Sequence, residues 1–462
     1  MSTDTTYWQE QVRSVFAGKS WLVAMDVTVS AAALAKQVLD MGATSVFALG
    51  ANRGMGDIDD DVPHISMVVS ADTLMDSIRT CEQAVITPPA EVVAQIDAWD
   101  PGRKAQVLRT LFADDTLVAG RKTFGARSQA WAALEDKMTV DALWDTLGVQ
   151  RAPSRTAPCT KEALMAAASE VNRGEGTVWA GDNASGWHGG ASFTRWVRTE
   201  ADADATVALF APHCESARVM PFLDGIPCSI HGIVFDDYVI ALRPCEMVMF
   251  RVPGTGRFRY GQAATFWDPP ASDRQEMRAL AKTVGAHLRA THNYRGTFTI
   301  DGVMTRDGFL PTELNPRFGG ALSVVARGVP NLPLYPLHLA ISAGVDVNWR
   351  PQALEAVLLK LADTHRSGGC ATLSAVRSEG EREVYLREDG DSWQACDDEP
   401  TSVHVRCGPS AMGTFVRVSF NPNATPVGPP AGPRAASVLA FVDALWGLEL
   451  GPMEAAADVR RA

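Results

Sequence analysis

Residues 294–322 read YRGTFTIDGVMTRDGFLPTELNPRFGGAL, and this stretch decides the fold. Its spacing predicts two short strands, about Gly296 to Met304 and Phe309 to Leu314, joined by a turn at Arg306-Asp307-Gly308. A hairpin centred on Asp307 sets Asp301 beside Glu313 across the ladder. Glu313 and Asn315 lie two apart, so their side chains point the same way while the strand persists. Two carboxylates and an amide oxygen on one face make a hard-oxygen site suited to Mg²⁺ carrying a nucleotide's phosphates. Arg317 follows, and Gly319-Gly320 allows close backbone approach to a ligand. A polar hairpin with solvated acids is the bland alternative.

The run E-L-N-P-R-F-G-G (313–320) closely resembles the metal-binding signature of the ATP-grasp superfamily, in which an acid, a Glu and an Asn hold Mg-ATP. The resemblance extends over roughly Ala119 to Gly344. It implies an α/β chain of ATP-grasp architecture. The expected parts are an N-terminal open α/β domain (1–125), a lid subdomain with a Gly-rich loop (126–215), a metal-bearing subdomain (216–346) and a C-terminal α+β domain (347–462).

Composition bounds the function. At 462 residues and 46% hydrophobic content the chain can bury a large core. A net charge of −12, with no basic cluster interleaved with aromatics, excludes nucleic acid as the expected partner. No apolar run reaches the length of a membrane span, and the start lacks a secretory pattern. The eight cysteines are scattered without metal-like spacing, so reduced thiols in a cytoplasmic protein are expected.

Along the chain, Trp21–Val27 and Ser45–Leu49 read as parallel strands around a helix capped by Ser30 and running to about Met41. The glycine-rich stretch Gly50–Gly56 precedes the acidic run Asp57–Asp61 and opens no helix. It reads as a mobile loop near the substrate, not a phosphate cradle. Another strand is expected near Gln83–Thr87. From Ala126 the pattern is helical to Leu147, and its E-D-K (135–137) is like the ATP-grasp segment whose Lys contacts ATP phosphate, which makes Lys137 a candidate.

Helix 161–173 leads to a strand at Thr177–Ala180 and then a flexible loop, Gly181–Gly190, that can fold over a triphosphate and offer backbone N–H groups, Gly186 among them. The resemblance places a second phosphate-binding Lys on that strand. Trp179 or Ala180 stands there instead, leaving His188 or Arg195 to supply charge. Residues 218–232 resemble the adenine hinge, with Pro221 C=O to accept and Leu223 N–H to donate. His231, on the next strand, either faces the site or is a hydrogen-bonded core histidine. Arg243 and Glu246, the polar members of 238–250, are substrate contacts or a solvated edge. Past Gly344 the strands 383–386, 402–406 and 414–420 and a helix near 436–446 are expected, then a frayed tail.

The resemblance implies an ATP-dependent carboxylate–amine ligase using Mg²⁺ (or Mn²⁺), nearest the amino-acid or short-peptide ligases of microbial secondary metabolism such as the pheganomycin-type peptide ligase. The metal would sit on Asp301, Glu313 and Asn315, with Arg317 and Arg295 as catalytic candidates. The nucleotide contacts would be Lys137, Gly186, His188, Pro221, Leu223 and His231, and the substrate contacts Arg243, Glu246, Gly319 and Gly320. Small carboxylate and amine substrates are the expected partners, in a homodimer. A kinase- or carboxylase-type enzyme, or a non-catalytic ATP-binding protein, is the alternative.

Overall fold

The computed structural model describes residues 3–109, 114–329, 331–390, 392–397 and 401–460. Strands β1 (Ser20–Val27), β2 (Ser45–Asn52), β3 (His64–Ser66) and β4 (Gln106–Arg109) form a parallel sheet in the order β3-β2-β1-β4. Parallel strands are covered on both faces, and the alternation here follows. Trp21, Val23, Val46 and Ala48 pack on helices Thr6–Phe16 and Thr28–Asp40, while Leu22, Ala24, Phe47 and Leu49 pack on Leu74–Ile86 and Ala90–Trp99.

Three local expectations are corrected in this part. Residues 83–86, expected in a strand, are the last turns of helix Leu74–Ile86. Thr73 caps that helix by accepting from Asp76 N–H, and Met75, Ile78, Cys81 and Val85 keep helical spacing. Ser30 lies inside helix Thr28–Asp40, whose first turn follows β1 directly. A Cβ at Gly50 would come 2.2 Å from Thr28 Oγ1, so this glycine admits the helix against β2. The remainder of the loop is tied to the far end of the molecule: Gly56 N–H donates to Glu381 at 3.0 Å and Arg53 pairs with the same carboxylate.

The second sheet contains β5 (Arg155–Pro158), β6 (Thr177–Gly181), β7 (Thr194–Val197), β8 (Ser216–Pro221), β9 (Ile226–Val234), β10 (Val239–Ala241), β11 (Cys245–Val252), β12 (Arg257–Ala264), β13 (Gly296–Thr305) and β14 (Gly308–Asn315). Its order is β14-β13-β9-β11-β12-β7-β6-β8-β5, with β10 on β9. Helix Ala271–His292 sets Met277, Ala281, Val284 and Leu288 against Ile230, Val234, Phe298 and Ile300 and so stiffens the hairpin from behind.

The third sheet contains β15 (Gly369–Ser374), β16 (Arg382–Asp389), β17 (Ser392–Cys396), β18 (Val403–Ser410) and β19 (Gly413–Phe420) in the order β15-β19-β18-β16-β17. It packs with helix Gly432–Trp446 and with Val248 and Phe250 of β11. The tail expected to fray is docked through residue 460. Strand β20 (Glu454–Ala455) pairs with β11, and Arg460 donates to Asp273 at 2.7 and 2.9 Å. Among the described residues no helix is long and apolar enough to cross a membrane.

Candidate active site

The hairpin β13–β14 pairs Asp301 with Glu313 and Thr299 with Asn315, with a bulge after Asp301. The positive φ of Gly308 (115°) starts β14 directly after the turn. Asp301, Glu313 and Asn315 open into a cavity of about 440 Å³, together with Lys137, Arg317, Gly319 and Gly320.

The local electrostatics suit a bound cation. Burial first, and then the neighbouring Glu313 charge, push the Asp301 carboxyl up to about 6, although Ser229 Oγ donates to it. Asn315 Nδ2 donates to Asp301 at 2.9 Å, and Arg317 Nη2 donates to Asn315 Oδ1 at 3.0 Å. Lys137 Nζ lies 3.2 Å from Glu313. Among the described residues no three His, Cys, Asp or Glu side chains gather into a metal cage. Two carboxylates and an amide fit a hard ion such as Mg²⁺, which takes few protein oxygens and fills its octahedron with water and phosphate. Such an ion would relieve the repulsion between Asp301 and Glu313.

Lys137 reaches the hairpin because the expected helix 126–147 is broken. A short helix Gln129–Ala132 passes into a 3₁₀ turn, Ala133–Glu135, and helix Val140–Thr146 begins after it. Asp136 makes the break: its backbone is extended, and its side chain accepts from Met138 N–H at 2.8 Å. Glu135 turns inward and is 4% exposed. It accepts from Arg127, from Arg317 Nε at 3.0 Å and from Trp187 Nε1 at 2.8 Å. Two guanidiniums and one neutral indole N–H thus converge on one carboxylate, whose titration they hold below the usual range against the opposing pull of burial. In the sequence Glu135 stands out only as part of the E-D-K pattern, because its three partners lie 8, 52 and 182 residues away.

The glycine-rich loop lies between β6 and β7 over the same cavity. Trp187, His188, Gly189 and Gly190 line it; Gly186 does not. Arg79, from helix Leu74–Ile86, holds the loop by donating to Ser185 C=O at 2.9 Å. His188 Nε2 faces two carbonyls, Gly181 at 3.1 Å and Asp182 at 2.9 Å, and must carry a proton to satisfy them. Burial and then Lys137 push its titration down, which favours the neutral ring over a charge for phosphate. Arg195 donates to the carbonyls of Ser192 and Thr194 and lies outside the lining.

The cation near the vacant lysine position is Arg218. Trp179 faces the core, whereas Val178 and Ala180 line the cavity, and Arg218 of β8 pairs with Ala180 across the ladder. Arg218 lines the cavity, clamps Asp141 at 2.6 and 2.9 Å and donates to Thr312 C=O. Arg218 begins the hinge segment 218–232 but is not among the expected contacts. Pro221, Phe222 and Leu223 line the cavity where β8 ends. Leu223 N–H donates to no backbone carbonyl among the described residues.

Four other expected contacts lie elsewhere. His231 is fully buried behind Thr299, its partner across the ladder, which it meets at 2.8 Å; burial pushes it down to about 3. Arg243 is neutralised by Asp268 at 2.7 Å and by Asp363. Glu246 faces away from the cavity and accepts the N–H groups of Ala431 and Gly432 at the start of helix Gly432–Trp446. Arg295 precedes Asp301 by six residues, about 20 Å along a strand, and pairs with Asp236.

No protein-family model and no curated protein matches the chain. Solved structures do match. The ADP complex of purK, an N5-carboxyaminoimidazole ribonucleotide synthetase, superposes with a TM-score of 0.53 at 14% identity, over 93% of this chain and 98% of that chain. Biotin carboxylase from Campylobacter jejuni, complexed with an ATP analogue, gives a TM-score of 0.55 at 14% identity, over 97% and 94%. The Aspergillus clavatus N5-carboxyaminoimidazole synthase, with ADP and its ribonucleotide, gives 0.50 at 10% identity, over 93% and 99%. At these identities the likeness establishes the fold, an α/β chain of ATP-grasp architecture.

Proposed function

We propose that this chain is an ATP-dependent ligase that joins a carboxylate, that of an amino acid, to an amine through an acyl phosphate. The observation that carries the reading is one cavity holding two unlike sets of groups. Pro221–Leu223 offers backbone groups suited to a purine edge, and Asp301, Glu313, Asn315, Lys137 and Arg317 offer oxygens and cations suited to a metal-bound triphosphate. The division into 1–125, 126–215, 216–346 and 347–462 is retained in this reading.

In the first step a carboxylate oxygen attacks the terminal phosphorus of ATP, and ADP leaves with the bridging oxygen's electron pair. In the second, the amine nitrogen attacks the acyl carbon, phosphate leaves, and one proton is released. Mg²⁺, or Mn²⁺ in its place, supplies neutralisation of phosphoryl charge when bound. Lys137 and Arg317 add fixed positive charge, and Glu135 holds Arg317 in place. The Trp187–Glu135 bond keeps the loop over the cavity and excludes water from an intermediate that hydrolyses.

An acyl phosphate is trapped by hydroxylamine. With Mg²⁺, ATP and a panel of amino acids, hydroxamate and ADP are expected in about equal amounts. AMP as the sole nucleotide product, or ATP turnover with no hydroxamate from any acid, overturns the ligase reading.

A further inference from the structure

We propose that the part of the cavity bounded by β11, β12 and β20 seats the amine substrate, and that this substrate is an α-amino acid with an apolar side chain, held by its carboxylate on Arg251. The assignment rests on the ligase reading above.

Strand β11 presents two unlike faces. Val248 and Phe250 are buried in the core shared with the C-terminal sheet, while Met247, Met249 and Arg251 line the cavity. Strand β12 brings Phe258 opposite Arg251 and Tyr260 opposite Met249. Ala456, just past β20, closes the side. Except for Arg251 and one phenol hydroxyl, this wall is thioether, aromatic and methyl surface.

Arg251 differs from the other cations that line the cavity. Lys137 has Glu313, Arg218 has Asp141, and Arg317 has Glu135. Arg251 forms no ion pair with a described residue. Its Nη2 donates to Ala455 C=O at 3.2 Å, its Nε is buried with no partner, and its guanidinium lies 5.8 Å from the Trp196 ring centre. Glu454, opposite it in the ladder, is exposed and does not pair with it. A guanidinium lining an apolar wall with no carboxylate of a described residue beside it calls for an anion, and its planar fork matches a carboxylate. One guanidinium balances one negative charge, and no second unpaired cation lines the cavity among the described residues.

The spacing leaves room for the remainder of an amino acid. Two residues, about 7 Å of strand, separate the Arg251/Phe258 pair from Met249/Tyr260. The Tyr260 hydroxyl makes no hydrogen bond to a described residue and sits against Gly320, where a Cβ would lie 3.6 Å from it. Asp301 and Arg317 are close enough for their charges to act on it. With the carboxylate on Arg251, the side chain lies on Met247, Met249 and Phe258, and the amino group points along the wall toward Tyr260 and the hairpin.

Calorimetric titration of the full chain in the presence of Mg·ADP tests the assignment. The ligands are L-leucine, L-methionine and L-phenylalanine, their carboxamides, L-serine and L-aspartate. The three apolar amino acids are expected to bind at least tenfold tighter than their carboxamides and than serine or aspartate. In Arg251→Met the acid and the amide become equal, while Mg·ADP affinity stays within twofold. In Phe258→Ser all apolar ligands weaken, but the acid-to-amide ratio is kept. Amides that bind wild type as well as acids do, an acid preference that survives Arg251→Met, or a preference for serine or aspartate overturns the assignment. If Mg·ADP still binds in those cases, the ligase reading stands. Failure of Mg·ADP itself to bind removes both.

Discussion

Two hairpins flank β9 in the central sheet, and each carries a glutamate that the sequence offers as a functional group. Glu313 on β13–β14 opens into the cavity beside Asp301, with Lys137 at 3.2 Å. Glu246 on β11–β12 is 3% exposed and spends both carboxylate oxygens on backbone N–H groups of a helix nearly two hundred residues later in the chain. The first carboxylate is poised for a ligand, and the second holds a helix to a sheet. What separates them is only which face of the strand the rest of the molecule covers.

The sharpest way to break this contrast is to remove the same charge from each hairpin. Glu313→Gln keeps the shape and removes the negative charge opposite Asp301. Turnover is expected to fall by about 10²- to 10³-fold, with the thermal midpoint little changed, because the Lys137 pair it loses is partly exposed and worth little. ADP formation near the wild-type rate in a folded Glu313→Gln protein would remove the hairpin from the chemistry.

The contrast also explains what could be read from the sequence. The turn, the register of Asp301 against Glu313 and the cluster with Asn315 and Arg317 all follow from residues within one local stretch, so spacing alone places them together. Local spacing also offers Arg243 and Glu246 as substrate contacts. Their partners, Asp268, Asp363, Ala431 and Gly432, lie 25 to 186 residues away in sequence. Strand alternation gives two faces but does not say which one will be covered. Arg251, on the cavity face of β11, lies just past the stretch 238–250 and is not among the expected contacts. The strand at Gln83–Thr87 failed differently, because a short apolar run with a Pro after it fits a helix end as well as a strand.

The hinge at the end of β8 gives the next effect in size. Guanine presents an acceptor where adenine presents its amino donor, so Pro221 C=O would face a carbonyl and lose a hydrogen bond. kcat/KM for GTP is expected to be about 10- to 100-fold below that for ATP. Equal values in a steady-state ADP/GDP release assay would take Pro221 and Leu223 out of nucleotide recognition.

A smaller effect is expected at the glycine-rich loop that lines the same cavity. Trp187→Phe keeps a ring near Arg317, whose guanidinium lies 5.8 Å from the indole centre, but removes the donation to Glu135. One hydrogen bond to a carboxylate that keeps Arg127 and Arg317 is worth about 1 kcal/mol. The KM for ATP should rise about fivefold with kcat within twofold. An unchanged KM would make the tryptophan packing only.

The smallest effect on turnover belongs to Glu246, and there the prediction turns on pH. Two N–H donors favour its charged form, but burial outweighs them and pushes the carboxyl up to about 7. In the unfolded chain the same group titrates near its ordinary 4.5. Between these values the folded state holds more protons than the unfolded one, so this residue's contribution to stability is full at low pH. It declines as pH rises through the window and is level above about 7. The difference is on the order of 3 kcal/mol. Glu246→Gln removes the titration and keeps one oxygen for one of the two N–H groups; losing the other acceptor is a cost that does not vary with pH. Chemical denaturation of both proteins at closely spaced pH should show the variant gaining on wild type from pH 4.5 to 7, with kcat the same in both. A flat stability difference would mean that the helix N–H groups hold Glu246 charged in spite of its burial. A loss of turnover comparable to that of Glu313→Gln would mean that the two hairpins do the same work, and that the covered face of β11 is not closed to the reacting groups.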